Sequence, residues 1–192
     1  MTLRGMVRTA MAGVLLGLPG CVLGQAPAVN QDSLVAVEFQ HRVDDYMKVH
    51  AQALAEIRPL KPTDAPEEIA EHRRRLAHKI REARRHARPG DLFTPEVSGL
   101  FRRIIATSFQ APDAAQVRTS LRRADPVPPM RLRVNARYPR GLPLQSTPPS
   151  FLIDLPRLPP GLEYRIVGRD LILLDVDAAL IVDYLPQALP PP

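Results

Sequence analysis

The sequence predicts an α+β fold, with about four helices in its N-terminal half, a proline-rich connector and a small antiparallel sheet at the C-terminus. Apolar residues recur at spacings of three and four within residues 29–125, which is the period of amphipathic helices. Ten prolines then fall within residues 126–160. Short apolar runs separated by turn residues fill residues 161–192, which predicts a β-meander. Helices and strands that are segregated along the chain are typical of the α+β class.

The N-terminus has the pattern of a signal peptide over residues 1–28. Arg4 and Arg8 form a positive segment ahead of an apolar stretch at residues 11–18, and residues 26–28 have the small-x-small pattern of a cleavage site. The apolar stretch is shorter than a helix that spans a bilayer. We therefore expect an exported bacterial protein, periplasmic or secreted.

Cys21 is the only cysteine in the chain, and residues 18–21 loosely resemble the lipobox of bacterial lipoproteins. Cys21 is thus a candidate for lipidation, which would make the product an outer-membrane lipoprotein. The alternative is cleavage after Gly24 or Ala28, which removes the thiol. In both cases the mature protein has no disulfide, no thiolate nucleophile and no cysteine-based zinc site.

Composition limits the chain to one domain, or one domain with an extension. The 192 residues are 45% apolar, which is enough for an ordinary core, and they include no tryptophan. The net charge is +6, and removal of residues 1–28 takes away two arginines and no acids, which leaves +4. That excess is too small to indicate nucleic-acid binding by itself.

The first helix is predicted over residues 33–57, where a narrow apolar seam follows helical spacing. Pro59 and Pro62 end it, because proline cannot continue a helix. The residues of the seam are Ala36, Phe39, Val43, Tyr46, His50, Ala53 and Ile57.

A second helix is predicted from about residue 65 to residue 88. Asp64 stands three residues before Glu67, with Pro66 in the first turn, which is the pattern of a capping box. Pro89 and Gly90 stop the helix. Its apolar stripe consists of Ile69, Leu76, Ile80, Ala83 and Ala87. We expect this stripe to pack on the first helix as a helical hairpin.

Two more helices follow in the predicted order. Thr94 and Pro95 begin a third helix that runs to about Phe109. Its expected buried side consists of Val97, Leu100, Phe101, Ile104 and Ile105. A shorter fourth helix is predicted from Pro112, with Val117 and Leu121 on its apolar side.

The β half begins inside the connector, where residues 130–134 and 151–155 are predicted to form brief strands. In residues 162–167, Leu162, Tyr164 and Ile166 alternate with Glu163, Arg165 and Val167, which predicts a half-buried strand. Gly168 supplies a turn into an apolar second strand over residues 171–174. A third strand is predicted over residues 180–184, and a terminal helix at residues 176–185 is the alternative.

The C-terminal hairpin resembles that of small periplasmic proteins of the RcnB type. The residues that carry the resemblance are Leu158-Pro159-Pro160-Gly161, the run from Tyr164 to Asp175, and Ile181-Val182-Asp183. That family is associated with nickel and cobalt homeostasis. The match covers about 28 of the 192 residues. It departs from the family at Arg165, where an aromatic residue is usual, and at residues 177–179, where the turn lacks glycine. The resemblance implies a fold for this hairpin and no catalytic residue.

A strongly basic segment lies within residues 72–88, which hold eight Arg or Lys against the single acid Glu82. We define the arginine face as Arg73, Arg74, Arg81, Arg84, Arg85 and Arg88. It could bind an envelope or extracellular protein, an anionic polymer or a membrane surface. Nucleic acid is not expected, since no aromatic residue is placed to stack a base. The alternative is a solvated helix face, partly neutralised by the five acids of residues 161–192.

The histidines and acids do not form a recognisable metal or catalytic site. His41 with Asp44 or Asp45 has workable metal-ligand spacing, and such pairs arise by chance in many helices. His50 lies on the apolar seam, where a hydrogen-bonded core histidine is the expected role. The remaining histidines, His72, His78 and His86, are six and eight residues apart, which is unsuitable for one helical site.

No cofactor, metal or catalytic residue is predicted. Asp175 and Asp177 are the best acid pair, although a turn aspartate is usually a local hydrogen-bond acceptor. No nucleophile elbow, phosphate-binding glycine loop or zinc-protease motif is present. We therefore expect an exported, non-enzymatic interaction or structural module. The alternatives are a periplasmic metal-handling protein and a hydrolase whose site is assembled only by the fold.

Overall fold

Among the described residues the fold is α+β, with three helices followed by one antiparallel sheet of three strands. A computed structural model describes residues 30–110, 112, 114–115, 118–119, 130–139 and 154–190. The helices are α1 (Gln31–Ala55), α2 (Pro66–Ala83) and α3 (Pro95–Ser108). The strands are β1 (Leu162–Val167), β2 (Asp170–Asp175) and β3 (Leu180–Leu185), in the order β1-β2-β3. The predicted signal peptide lies outside the described residues.

Helix α1 confirms the first predicted helix, displaced by two residues. It begins after Asn30, whose side chain accepts a hydrogen bond from the amide of Asp32 and so caps the first turn. Its buried residues are Phe39, Val43, Tyr46, His50 and Ala53, which belong to the predicted seam. The narrow seam therefore marks the side of α1 that faces the core.

Helix α2 corrects two predictions. Its N-cap is Ala65, with no side-chain cap, so the capping box expected at Asp64 does not form. The helix ends at Ala83 instead of residue 88, because Arg84 leaves helical geometry. The carbonyl of Arg84 accepts from the amide of Ala87 at 2.9 Å and from the Asn135 side chain at 2.8 Å, while the amide of Arg88, which would continue the helix, donates to the Asp91 side chain.

Helix α3 begins and ends close to its predicted bounds. The hydroxyl of Thr94 accepts from the amide of Val97, as expected of an N-cap. The predicted fourth helix is not confirmed. Of that segment the structure describes residues 112, 114–115 and 118–119, and the last two pairs are helical. Val117 and Leu121 lie outside the described residues.

The sheet confirms the meander over the alternative of a terminal helix. Strand β1 turns into β2 through Gly168, which has φ of +61°. Strand β3 pairs with β2 through a bulge: Leu173 opposes Asp183 and Leu174 opposes Ile181, so Val182 is an extra residue. The bulge changes which side chains of β3 face the helices, and it places Asp183 beside Leu173.

The described part of the proline-rich connector packs on the sheet. Residues 130–134 do not form the predicted strand, and residues 134–135 form a turn in which Asn135 has φ of +61°. Arg137 forms an isolated bridge to Leu180, and the amide of Tyr138 donates to the carbonyl of Ala179. Of the strand expected at residues 151–155, positions 151–153 lie outside the described residues and the other two form a bend.

Each face of the sheet has its own hydrophobic cluster. The helix-facing cluster joins the three helices to the strands, and its strand residues include Leu162, Tyr164, Ile166, Leu171, Leu173, Leu180, Val182 and Leu185. The outer cluster is closed by the connector, and it contains Leu132, Tyr138, Val167, Ile172, Leu174 and Ile181. A sheet covered on both faces explains why β2 is apolar on both sides.

Candidate functional site

Two carboxylates are fully buried between the sheet and the helices. Asp175 ends β2 and Asp183 lies in β3, and both have 0% exposure. A buried carboxylate is costly unless it is hydrogen bonded or paired with a cation. The partners of these two acids therefore define the polar centre of the molecule.

Asp175 binds two side chains of α1. The hydroxyl of Tyr46 donates to its Oδ2 at 2.5 Å, and Nδ1 of His50 lies 2.8 Å from the same oxygen. The amide of Ala178 donates to Oδ1 at 2.8 Å. Tyr46 and His50 are four residues apart, so they occupy the same side of the helix. The set of contacts joins α1 to the end of β2.

The environment fixes the protonation of both α1 side chains. Burial, followed by the charge of Asp175, raises the pKa of Tyr46, so its hydroxyl stays a donor. The hydrogen bond to Asp175 raises the pKa of His50, while burial acts in the opposite direction. The structure therefore favours the imidazolium form of His50 beside Asp175.

The second ring nitrogen of His50 faces the predicted acid pair. Its Nε2 lies 3.9 Å from Oδ2 of Asp177, whose side chain is 59% exposed. Gly161 has φ of +91°, and a Cβ there would come within 3.0 Å of that carboxylate, so glycine suits both the backbone and the space. The fold thus brings His50 between Asp175 and Asp177, a juxtaposition that was not predicted from the sequence.

Asp183 accepts hydrogen bonds from four backbone amides. Oδ1 accepts from Gly90 at 3.0 Å and from Tyr184 at 2.8 Å. Oδ2 accepts from Leu92 at 2.8 Å and from Phe93 at 2.9 Å. The acid therefore organises the loop that leads into α3, in the way that a bound anion occupies a concave row of amides.

Arg84 connects the surroundings of the two acids. Its guanidinium lies 5.0 Å from the centre of the Tyr46 ring, as in a cation–π contact. It donates to the Asn135 side chain at 3.0 Å and to the carbonyl of Val182 at 3.2 Å. Burial lowers its pKa, and the charges of Tyr46, Asp183, Asp91 and Asp175 act in the opposite direction. Arg84 thus contributes to the fold and is only partly accessible to a partner.

Of the other five members of the arginine face, one is bonded within the fold and four are exposed. Arg81 is partly buried and donates through Nε to the carbonyl of Asn135 at 3.1 Å. The other four members, Arg73, Arg74, Arg85 and Arg88, are exposed. Arg74 forms an ion pair with Glu71 on the same helix. Within the described residues, Arg73 and Arg88 form no ion pair.

The acids of the sheet do not neutralise these arginines. Asp175 and Asp183 are buried with other partners, and Glu163 pairs with Arg165. The acids that do contact basic side chains of α2 are Glu71 and Glu82, both on α2, and Glu56, which follows α1. The alternative of a face neutralised by the C-terminal segment is therefore not supported at Asp175, Asp183 or Glu163.

The other histidines that were considered as metal ligands are dispersed over α1, α2 and the residues that follow α2. His41 is exposed on α1, and His78 pairs with Glu82. Across the parts of the chain that the structure describes, no three His, Cys, Asp or Glu side chains are grouped to hold a metal ion. Metal handling stays a prediction, to be tested by calorimetric titration with nickel and cobalt. The structure does not describe Cys21, the lipidation candidate.

The comparisons place the chain in no known family. No protein-family model, curated protein or solved structure matches it. The resemblance of the C-terminal hairpin to RcnB-type proteins stays a prediction. Among the described residues, no helix has both the length and the apolar character that a membrane span needs.

The pairing of the buried acids with their partners was not predicted from the sequence. His50 and Tyr46 appeared on the seam, and the expected core role of His50 agrees with its burial and its bond to Asp175. The sequence offered one indication that these acids have distant partners. Asp175 and Asp183 are charged residues in otherwise apolar strands, and no cation lies near either of them in the sequence. Their partners lie more than 80 residues away, apart from the amides of Ala178 and Tyr184.

Proposed function

We propose that this chain is an exported, non-enzymatic interaction protein that binds an anionic partner through the exposed part of its arginine face. The observation that supports this function is the exposure of Arg73, Arg74, Arg85 and Arg88 while the two buried acids of the sheet are bound elsewhere. A surface with an excess of cations attracts acidic partners over about one Debye length.

The partner is an acidic protein, an anionic polymer or an anionic membrane of the cell envelope or extracellular space. Exposed guanidinium groups bind carboxylate, sulfate and phosphate alike, so the four arginines define the charge of the partner and not its identity. Electrostatic binding of this kind weakens as salt is added.

We expect the full chain, purified as the expressing cell processes it, to bind heparin or anionic lipid vesicles at low salt. Replacing Arg73, Arg85 and Arg88 with glutamine should reduce heparin affinity by at least about tenfold at about 50 mM salt, since three counter-charges are lost. Binding is measured by salt elution from heparin and by vesicle co-sedimentation. Preference for one probe distinguishes a polymer from a membrane.

The matched control replaces three other exposed arginines, Arg131, Arg133 and Arg157, with glutamine. It changes the net charge equally, so a loss that depends only on net charge would appear in both variants. Equal losses would contradict a specific role of the arginine face. Failure to bind either probe at about 50 mM salt, or retention that ignores salt, would contradict anionic binding altogether.

Export is tested by the N-terminus of the processed product. We expect mass spectrometry to find a chain that begins after Gly24 or Ala28, since residues 1–28 have the pattern of a cleaved signal peptide. A diacylglyceryl-modified Cys21 at the N-terminus would show the lipoprotein alternative. An intact Met1 in a cytosolic fraction would contradict export.

A further inference from the structure

A second feature of the molecule lies at the contact between α1 and the turn that joins β2 to β3. We define the His50 junction as Tyr46, His50, Asp175 and Asp177. The two nitrogens of one imidazole face two carboxylates there, at 2.8 Å from Asp175 and 3.9 Å from Asp177. Only a protonated ring can present an N–H to both acids.

We propose that the His50 junction is a pH-sensitive device, in which protonated His50 holds the β2–β3 turn against α1 and loss of the proton loosens that turn. In the neutral ring one nitrogen carries a lone pair. If Nδ1 keeps its proton for Asp175, the lone pair of Nε2 faces the carboxylate of Asp177, and an attraction becomes a repulsion.

The charged groups around the ring agree with this function. Asp175 and Asp177 are the acids that face His50, and Tyr46 occupies the same oxygen of Asp175 as the imidazole. Arg84, which follows α2, lies behind the Tyr46 ring, and Asp183 of β3 is a further charge that acts on Arg84. The ring itself is 8% exposed, so water does little to screen its charge.

Loosening of the β2–β3 turn would also affect the connector, because the connector is hydrogen bonded to this turn. Ala179 has φ of +52°, a left-handed conformation that is unfavourable for alanine, so the turn is held by its contacts. The carbonyl of Ala179 accepts from Tyr138, and the amide of Ala178 donates to Asp175. The junction therefore links His50 to the connector segment that covers the outer face of the sheet.

The direction of the pH effect follows from the raised pKa of His50. A histidine with a raised pKa in the folded state stabilises that state fully below about pH 6.5, its ordinary pKa. The contribution is lost as the pH rises through the higher folded pKa. The junction is therefore closed in mildly acidic conditions and looser in alkaline ones.

The test is an NMR titration of the processed full chain. We expect the His50 ring to titrate above about 6.5, the ordinary histidine value. Amide protection factors of Ala178 and Tyr138, corrected for intrinsic exchange, should fall by at least about threefold as the pH rises through that pKa, because the proton that joins the ring to both acids is lost. Titration at or below the ordinary value would overturn the proposal.

Two variants separate the junction from general stability. Asp177→Asn removes an exposed carboxylate, so it should fold, lower the pKa of His50 and reduce the change in protection. His41→Gln removes an exposed histidine of the same helix and should leave the change intact. An unchanged transition in Asp177→Asn, or its disappearance in His41→Gln, would contradict the device. His50→Gln, where it folds, should abolish the transition.

Discussion

Replacing Asp183 with alanine is expected to lower the free energy of unfolding by about 3 to 5 kcal/mol, because several buried amides lose their acceptor at once. The amides of Gly90, Leu92, Phe93 and Tyr184 all donate to this carboxylate. Each buried donor left without an acceptor costs about 1 to 3 kcal/mol, and water that enters the space reduces the sum.

The measurement is urea unfolding of the processed chain, followed by circular dichroism and fitted with a common slope. Asp183→Asn retains one acceptor oxygen and turns a second acceptor into a donor, so we expect a smaller but distinct loss of about 2 kcal/mol. The loop from Gly90 to Phe93 should lose amide protection in both variants, because its donors point at this side chain.

Asp170 provides the matched control, because it is an aspartate of the same sheet with fewer bonds. Its Oδ1 accepts one exposed hydrogen bond, from the amide of Gln187. We expect Asp170→Ala to cost about 0.5 to 1 kcal/mol, the net value of a typical hydrogen bond. A loss in Asp183→Ala no larger than the loss in Asp170→Ala would show that Asp183 does not organise the loop.

The elements of the fold were predictable because local periodicity decides them. The seam of α1 and the alternation of Leu162, Tyr164 and Ile166 in β1 both reflect one buried side, and a period of 3.6 or 2 is visible in a short window of sequence. Thr94 with Pro95 similarly marked the start of α3, because a cap is a local hydrogen bond.

The errors arise where a distant residue changes a local preference. Helix α2 stops at Ala83, and the carbonyl of Arg84 just past its end accepts a hydrogen bond from Asn135, 51 residues away. Residues 130–134 have the composition of a strand but cover the outer face of the sheet as an irregular segment. In both cases the distant contact cannot be identified from the sequence of the segment that it affects.

The burial of Asp183 was hidden by the bulge in β3. Strict alternation from Leu180 places Asp183 on the side opposite Leu180 and Val182, away from the helices. The extra residue at Val182 reverses that assignment and places Asp183 opposite Leu173. A bulge depends on the pairing of two strands, so the sequence of one strand does not reveal it.

The sequence identified the arginines of the arginine face, but it did not reveal which of them bind distant parts of the chain. Composition identified the basic segment, and the structure leaves four of the six arginines of the arginine face exposed. Arg81 and Arg84 instead bind Asn135, and Arg84 also binds the carbonyl of Val182, 98 residues away. Charge counting cannot separate an arginine that binds a partner from one that binds its own chain.

Phe101 is the second position where a large loss of stability is expected. Its ring is fully buried and contacts three aromatic rings edge to face, at centroid distances of 5.0 Å to Phe39, 5.2 Å to Phe93 and 5.8 Å to Tyr164. These rings belong to α1, the loop before α3 and β1, so Phe101 joins the helices to the sheet. Phe101→Ala should cost about 3 to 5 kcal/mol through lost burial and the cavity left behind.

Phe101→Leu separates burial from ring geometry. Leucine refills much of the space, so the loss should fall to about 1 to 2 kcal/mol if apolar volume dominates. Edge-to-face contacts add about 0.5 to 1.5 kcal/mol per pair, so a loss near the alanine value would assign the stability to the rings. Leu34→Ala is the control, since Leu34 is 53% exposed on α1 and should change stability by less than about 0.5 kcal/mol. If Phe101→Ala costs no more than Leu34→Ala, this aromatic cluster does not hold the helices to the sheet.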